Sequence, residues 1–413
     1  MKKVVLINSY SDKNKGDLGI ILGTIQTLKE SDLNCEISAI SSFSERDVFF
    51  KTEHEELKKY VKRIVPSLVG RVHNKTTIGK IITVCIDYLK MYYISYAPLV
   101  LLKGYLYLFH RGTLSEIQSA DVVISKGGSF LCNRDTYLDK IKLDRELTIF
   151  KLCLRFNKKI IIWGQSIGPV YGEKSINNLR KVLQKIKLII IREELCLKEY
   201  TEVFMDLKNV VLGHDLAFSL NYNNEKINKV ILKGGKLEVG LTLKKFNDSK
   251  SNYKYLKLIK KIILYLNENY ECNFHFVPHV TIDDDLDQVK ELITLLPESI
   301  NKESVFIDEN DYSINNLLDI YNKKDIVIGT RLHSTIFTLI TNTRVINIGY
   351  HGTKAQGVFK DINLEGNQFN IDDPLCEIIS AINNTLNDEF DFSKKLLNIR
   401  NENLSICDNI LNL

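Results

Sequence analysis

Nine short apolar runs, nearly all ending in glycine or a polar cluster, set the tightest limit on how this chain can fold. VVLIN (4–8), DVVIS (121–125), KIIIWG (159–164), KLIII (187–191) and NVVLG (209–213) lie in the first half. LEVGLTL (237–243), CNFHFVPH (272–279), DIVIG (325–329) and RVINIGY (344–350) lie in the second. Continuous apolar runs suit strands covered on both faces, the situation of parallel sheets. Helical spacing fills the intervals: Leu18, Ile21, Leu22, Ile25 and Leu28 fall on one helix face after the first run. Alternating strand and helix define α/β architecture, with units enough for two doubly wound sheets. The polar, asparagine-rich NYNNEKINK (221–229) reads as a linker. The expected division is an N-terminal domain over 1–220, a C-terminal domain over 230–385 and a helical tail over 386–413.

Composition narrows the setting. The 413 residues are 44% apolar and 26% charged, as in soluble globular proteins. MKKVVLINSY has four apolar residues before Asn8, too few for a secretory signal, so it reads as a first strand. Eight scattered cysteines form no CxxC pair, which suits buried thiols in a reducing compartment. A cytoplasmic protein with no nucleic-acid partner is expected. The net charge of +5 is uneven, because residues 57–111 carry ten basic groups against one acid, Asp87. This insertion also holds YYISYAPLVLLKGYLYLF (92–109), a nearly membrane-length run interrupted by Pro98, Lys103 and Gly104. Basic, aromatic and apolar residues together make a surface that could lie on anionic lipid, peripheral to the inner face of the cell membrane. The competing reading is a pair of buried helices with wet lysines.

In doubly wound sheets, ligands sit outside the carboxyl ends of the strands. The residues just past each run are therefore the candidates: Asn14 and Asp17, then Gly127, Gly128 and Ser129, then Gln165, Arg192, His279, Arg331, His333 and Lys354. Singly each is weak, since strand-to-helix turns favour glycine and capping residues. Jointly they describe a cleft lined by two domains. Thr330-Arg331-Leu332-His333-Ser334 carries the sharpest signal. With Ser334 as N-cap, a helix N-terminus, a guanidinium and an imidazole would meet at one anion. Lys354 follows the next strand, and Arg192 would face the same anion from the other domain. The structural alternatives are an Arg331–Asp325 pair with a satisfied histidine, and an Arg192 pair with Glu193 or Glu194. The first loop lacks GxGxxG spacing and no GxxxxGK[ST] is present, so nicotinamide, flavin and P-loop readings fail. No metal site is expected, and Asp283–Asp285 reads as a solvated acidic turn.

Asn14-Lys-Gly-Asp17, Lys126-Gly-Gly-Ser129, Gly164-Gln-Ser-Ile-Gly-Pro169, Ile191-Arg-Glu-Glu194, His214-Asp-Leu-Ala-Phe218, Gly329-Thr-Arg-Leu-His-Ser334 and Tyr350-His-Gly-Thr-Lys354 come in an order that resembles the motif series of the polysaccharide pyruvyl transferases. The resemblance covers residues 3 to about 365. It implies a GT-B-like fold, two doubly wound Rossmann-type domains facing a cleft, and phosphoenolpyruvate as co-substrate, with no other cofactor. The acceptor would be a sugar, free or in a lipid-linked oligosaccharide, and the product a pyruvate ketal. The donor would sit on Arg192, Arg331, His333 and Lys354. Leu18-Gly19 is bulkier than the family's usual first loop, and the 57–111 insertion lies outside the resemblance.

That chemistry suits the residues, because three or four cations can hold a carboxylate and a phosphate. His333 is the choice for phosphate binding with acid duty, and Asp17 the candidate base. Replacing Arg331 by alanine is expected to abolish turnover with little loss of folding. The alternatives are a GT-B glycosyltransferase using a nucleotide sugar, or a non-catalytic membrane-associated scaffold. The former lacks a glutamate clearly placed after a C-terminal strand to hold the ribose; in the latter, Arg331, His333 and Lys354 would be dispensable.

Overall fold

The computed structural model describes the chain except residues 32–33, 71–76, 223–234, 247, 281–284, 350–352 and 413. The expected linker at 221–229 lies, beyond Tyr222, outside the described residues. Two compact units emerge. The first comprises Met1–Asp12, Ile20–Ser219 and Arg400–Leu413, the second Lys13–Gly19 and Leu220–Ile399.

In the first unit, β1 (Lys2–Ser9), β2 (Cys35–Ser44), β3 (Ile64–Ser67), β4 (Val122–Ser125), β5 (Gly128–Leu131), β6 (Lys159–Ile167), β7 (Leu188–Ile191) and β8 (Val210–Leu212) form one sheet. Its order is β3-β2-β1-β4-β6-β7-β8, with β5 paired to β6 off that path, and every pairing is parallel. Ile189, Ile190 and Ile191 of β7 have no exposed surface, as a strand covered on both faces requires. Each such side chain stabilises the fold by about 1.5–3 kcal/mol through burial. Leu18, Ile21, Leu22, Ile25 and Leu28 of the helix Lys15–Glu30 are all buried.

The second unit repeats the plan. β9 (Leu237–Thr242), β10 (Cys272–Phe276), β11 (Val305–Ile307), β12 (Ile326–Gly329), β13 (Arg344–Gly349) and β14 (Gln368–Asn370) run in the order β11-β10-β9-β12-β13-β14. All five pairings are parallel, so the carboxyl ends share one edge. The strand order reverses between β9 and β12, which makes the loops after those strands the natural ligand position.

The apolar run 92–109 breaks at Ala97–Pro98 into the helices Thr77–Tyr96 and Leu99–Phe109. Proline locks its own backbone and lacks the N–H that would continue the ladder. Among the described residues no helix is long and apolar enough to cross a membrane.

Candidate functional site

The carboxyl edge of the second unit gathers most of the expected residues. The helix Leu332–Ile340 has Arg331 at its N-cap position, three residues earlier than the Ser334 cap that the sequence suggested. Ser334 therefore lies inside the first turn, and its hydroxyl bonds Arg331 O and Thr242 Oγ1, each at 2.7 Å. The Thr330 hydroxyl meets Tyr255 Oη at 2.7 Å, which pins the loop on its other side. His333 thus sits among the N-terminal N–H groups of this helix, where the dipole favours an anion.

Arg331 is clamped by Asp285 rather than Asp325. Its Nε and Nη2 donate to Asp285 Oδ2 and Oδ1 at 2.9 and 2.6 Å. Asp285 is 1% exposed and also accepts from Val280 N at 3.1 Å. The solvated acidic turn is corrected for Asp285; Asp283 and Asp284 lie outside the described residues. A two-point pair fixes the plane of the guanidinium. Removing Arg331 altogether would leave a buried carboxylate without its countercharge, a loss of about 3–5 kcal/mol. The alanine variant is therefore not the benign substitution the sequence suggested.

His279 lies three residues past β10, 1% exposed, with Nδ1 3.2 Å from Tyr321 Oη. Its Nε2 is buried with no hydrogen-bond partner among the described residues. Burial, followed by the charges of His333, Arg331 and Lys15, holds His279 well below the usual imidazole range, so it is neutral near pH 7. Burial likewise pushes the Tyr321 hydroxyl far above its ordinary value.

The segment Lys13–Gly19 brings a second helix start to this place. Asp17 N donates to Asn14 Oδ1 at 3.2 Å and Asn14 Nδ2 to Asp17 Oδ2 at 2.8 Å, a reciprocal cap on the helix Lys15–Glu30. Lys15 N reaches His279 O at 3.4 Å, and Lys15 Nζ pairs with Asp311 at 2.7 Å. A Cβ on Gly16 would lie 2.3 Å from His333 Nδ1, so only glycine admits this approach. Two helix N-termini, Arg331 and two histidines thus converge. Lys354 is half-buried in the first turn of the helix Thr353–Asp361, past β13, the neighbour of β12.

The first-unit candidates have a different setting. Arg192 is 2% exposed; Nη1 donates to Asp215 Oδ2 at 2.5 Å and Nε to Ser166 Oγ at 2.8 Å, with Glu193 3.4 Å away. Burial opposes its charge, but Asp215 and Glu193 outweigh that and raise its pKa. The guanidinium is thus engaged by two carboxylates and a hydroxyl within the first unit. Gly127 packs against β6, since a Cβ there would lie 2.3 Å from Gly164 O. Gly128, with φ of 115°, opens β5, where it pairs with Gln165 of β6. Gln165 has no exposed surface and donates to Ser166 O at 2.8 Å, while Ser129 is half-buried. The glycine-rich turns, as the structure places them, let β5 lie close to β6.

The family profile for polysaccharide pyruvyl transferase matches residues 14–352. The chain belongs to the polysaccharide pyruvyl transferase family. Over 387 residues, 88% of its length and 86% of the relative's, this family member is 24% identical to the amylovoran biosynthesis protein AmsJ of Erwinia amylovora. Among solved structures it is similar to UDP-GlcNAc 2-epimerase from Methanocaldococcus jannaschii, with 14% identity and a TM-score of 0.59. The enzyme of the same name from Neisseria meningitidis gives 11% and 0.56, and both likenesses cover all of both chains. At such identities the likeness shows fold alone, here a GT-B fold of two doubly wound Rossmann-type domains. The matched span of this transferase-family chain contains both helix starts, His279, Asp285, Arg331 and His333.

Four contributors escaped the sequence reading: Lys15, Asp285, Asp215 and Tyr321. Asp285 carried a signal, three aspartates shortly after a strand and its histidine, but nothing local told which would be buried. Asp215 stood in the His214-Asp215 pair after β8, and only β7–β8 pairing puts it beside Arg192.

Proposed function

We propose that this protein transfers the pyruvyl group of phosphoenolpyruvate onto two hydroxyls of a sugar, in a cell-surface polysaccharide or its lipid-linked precursor. Phosphate is released and a pyruvate ketal formed. The observation that carries this reading is the meeting of two helix N-termini at Arg331 and His333, on the switch-point edge of a doubly wound sheet.

Phosphoenolpyruvate presents a carboxylate and a phosphate. The Arg331–Asp285 pair is neutral as a whole, so its contribution is orientation: a guanidinium edge held at a fixed angle. Much of the attraction for the anion then comes from the two helix dipoles and from Lys354. Each hydrogen bond to a charged oxygen contributes about 1.5–3 kcal/mol. In the reaction a proton is added to the methylene carbon, and the adjacent carbon takes on oxocarbenium character. One sugar hydroxyl attacks it as its proton goes to a base. Phosphate leaves with the C–O bonding pair, and the second hydroxyl closes the ketal, losing its own proton. His333, at the helix start, serves the phosphate and the proton delivered to carbon. Neutral His279 is suited to accept or donate a hydrogen bond through Nε2 and unsuited to carry a positive charge. Asp17 is engaged by Asn14 in the cap, and base duty would require that bond to be exchanged.

The test is thermal unfolding of the full chain with phosphoenolpyruvate and, separately, with a panel of nucleotide sugars. A ligand at 100 times its Kd adds about 2.7 kcal/mol of stability. Stabilisation by phosphoenolpyruvate that is lost in Arg331→Lys supports the proposal, and stabilisation by a nucleotide sugar alone overturns it.

A further inference from the structure

The insertion borders a cationic recess apart from the residues just assigned. It lies in the first unit at the carboxyl ends of β2 and β3, where Ser44, Arg46, Lys90, Tyr105, Phe109 and His110 line a cavity of about 370 Å³. Arg46 is exposed and makes no ion pair among the described residues. Lys90 is half-buried, donates to Leu68 O at 3.3 Å and feels Arg46 strongly enough, after burial itself, to have its pKa lowered. Its neighbour Asp87 is already held by Arg145 at 3.0 Å, and the one carboxylate in the lining is the exposed Glu45. The His110 Nε2 lies 3.3 Å from Tyr105 Oη, and its Nδ1 is buried with no hydrogen-bond partner among the described residues. With the tyrosine hydroxyl donating to Nε2, the ring proton stands on Nδ1 as a donor. Burial first, then the charges of Lys90 and Arg46, push this imidazole down to about 4.

The helices that supply these side chains are apolar on the outside as well as the inside. Leu102 and Leu106 have no exposed surface, and Met91 and Ile94 are buried. On Thr77–Tyr96, by contrast, Ile78, Ile81, Cys85, Leu89, Tyr92 and Tyr96 recur at three and four residues, and all are exposed. On Leu99–Phe109, Val100, Leu101 and Leu108 are likewise exposed, at 80, 58 and 74%. Thirteen of the twenty-six large hydrophobics that are exposed among the described residues fall in 78–109. Soluble surfaces seldom concentrate apolar side chains in this way unless something covers them. A cationic recess beside these faces, in a segment with ten bases and one acid, selects an anionic, amphiphilic cover over a second protein surface.

We propose that the recess formed by Arg46, Lys90, Tyr105 and His110 binds the phosphate of a membrane lipid, with the outward faces of the two helices resting in the lipid surface. The inference goes beyond the transfer chemistry and does not depend on it.

Vesicle flotation with the full chain tests it. Probes are phosphatidylcholine vesicles, alone or with phosphatidic acid, each with and without inorganic phosphate. The expected result is binding to the phosphatidic acid vesicles roughly tenfold or more above phosphatidylcholine. Arg46→Ala with Lys90→Met should remove that preference, and Arg46→Ala alone, at an exposed position, should reduce it without moving the melting temperature. Leu101→Asp with Leu108→Asp should weaken binding to both vesicle types. Lys58→Ala with Lys59→Ala, outside the recess, should matter less; an equal loss there would mean diffuse charge and overturn the site. Stabilisation by inorganic phosphate without vesicle binding would assign the recess to a soluble phosphate and overturn the lipid. A dimer broken by Leu108→Asp, with no vesicle binding, would overturn it in favour of a second copy.

Discussion

Arg192 and Arg331 stand in like places, each just beyond a buried parallel strand of a doubly wound sheet, and end in opposite electrostatic settings. Arg192 has two carboxylates and a hydroxyl around it and a side chain 2% exposed. Arg331 stands at a helix N-terminus beside a histidine and, among the described residues, meets the carboxylate of Asp285, with 14% of its side chain exposed. An enclosed group of two acids and one base carries no net positive charge. One acid placed in the plane of a guanidinium orients it instead. The carboxylates that meet each arginine are delivered by tertiary pairing, and no local motif records them.

The largest expected effect tests the structural half of the contrast. Arg192→Met strands Asp215 and Glu193 and should destabilise the chain by about 3–5 kcal/mol in urea unfolding. The fraction that folds should still be stabilised by phosphoenolpyruvate; normal stability with that response lost would erase the distinction. Next comes Arg331→Lys, which keeps the charge and loses the fork. Turnover in a phosphate-release assay should fall by about 10²–10³-fold. The unfolding midpoint should stay close to that of the unaltered chain, because Asp285 keeps a countercharge.

Smaller effects sharpen the picture of the site in the second unit. Gly16→Ala drives a methyl into the His333 ring and should cost about 1–3 kcal/mol. Adding His333→Ala should recover part of that loss, so the double variant is less destabilised than the sum of the two singles. Strict additivity would mean that the two helix starts do not touch. An effect visible only at low pH concerns a buried histidine. In the first unit His54, with no exposed surface and Nε2 2.7 Å from Ser41 Oγ, is pushed down to about 4 by burial and then by Lys58. Its folded value lies below the ordinary 6.5. The stability it contributes is therefore complete above pH 6.5 and is lost as pH falls toward 4. Unfolding at stepped pH should show that decline in the unaltered chain and a shallower one in His54→Gln.

Much of the fold could be read from apolar runs because parallel strands buried on both faces leave an unbroken signature. β4, β7 and β12 lie within a residue of the runs that announced them. β2 was missed because CEISAISSFS interleaves serines with its buried apolar residues. β11 and β14 were missed because three-residue edge strands carry almost no pattern. At the site, Arg331, His333 and His279 were legible from position alone, as polar groups past strand ends. The roles of Arg192 and Asp285 were not, since each depends on a partner brought in by sheet pairing or by a loop fold. Gly16 illustrates the same limit: its loop was noted for composition, but its contact with a histidine more than three hundred residues away was not visible.

That distance has a consequence for the order of events in the cell. Residues 13–19 belong to the second unit, and residues 400–413 to the first. During synthesis Gly16 precedes His333 by roughly 15–60 s at about 5–20 residues per second. A ribosome-bound chain therefore carries an early segment with no place to dock and a first unit still lacking its closing helix. Neither half can be cut out at the middle of the sequence and be expected to fold whole, because each unit draws on a segment from the far end of the chain.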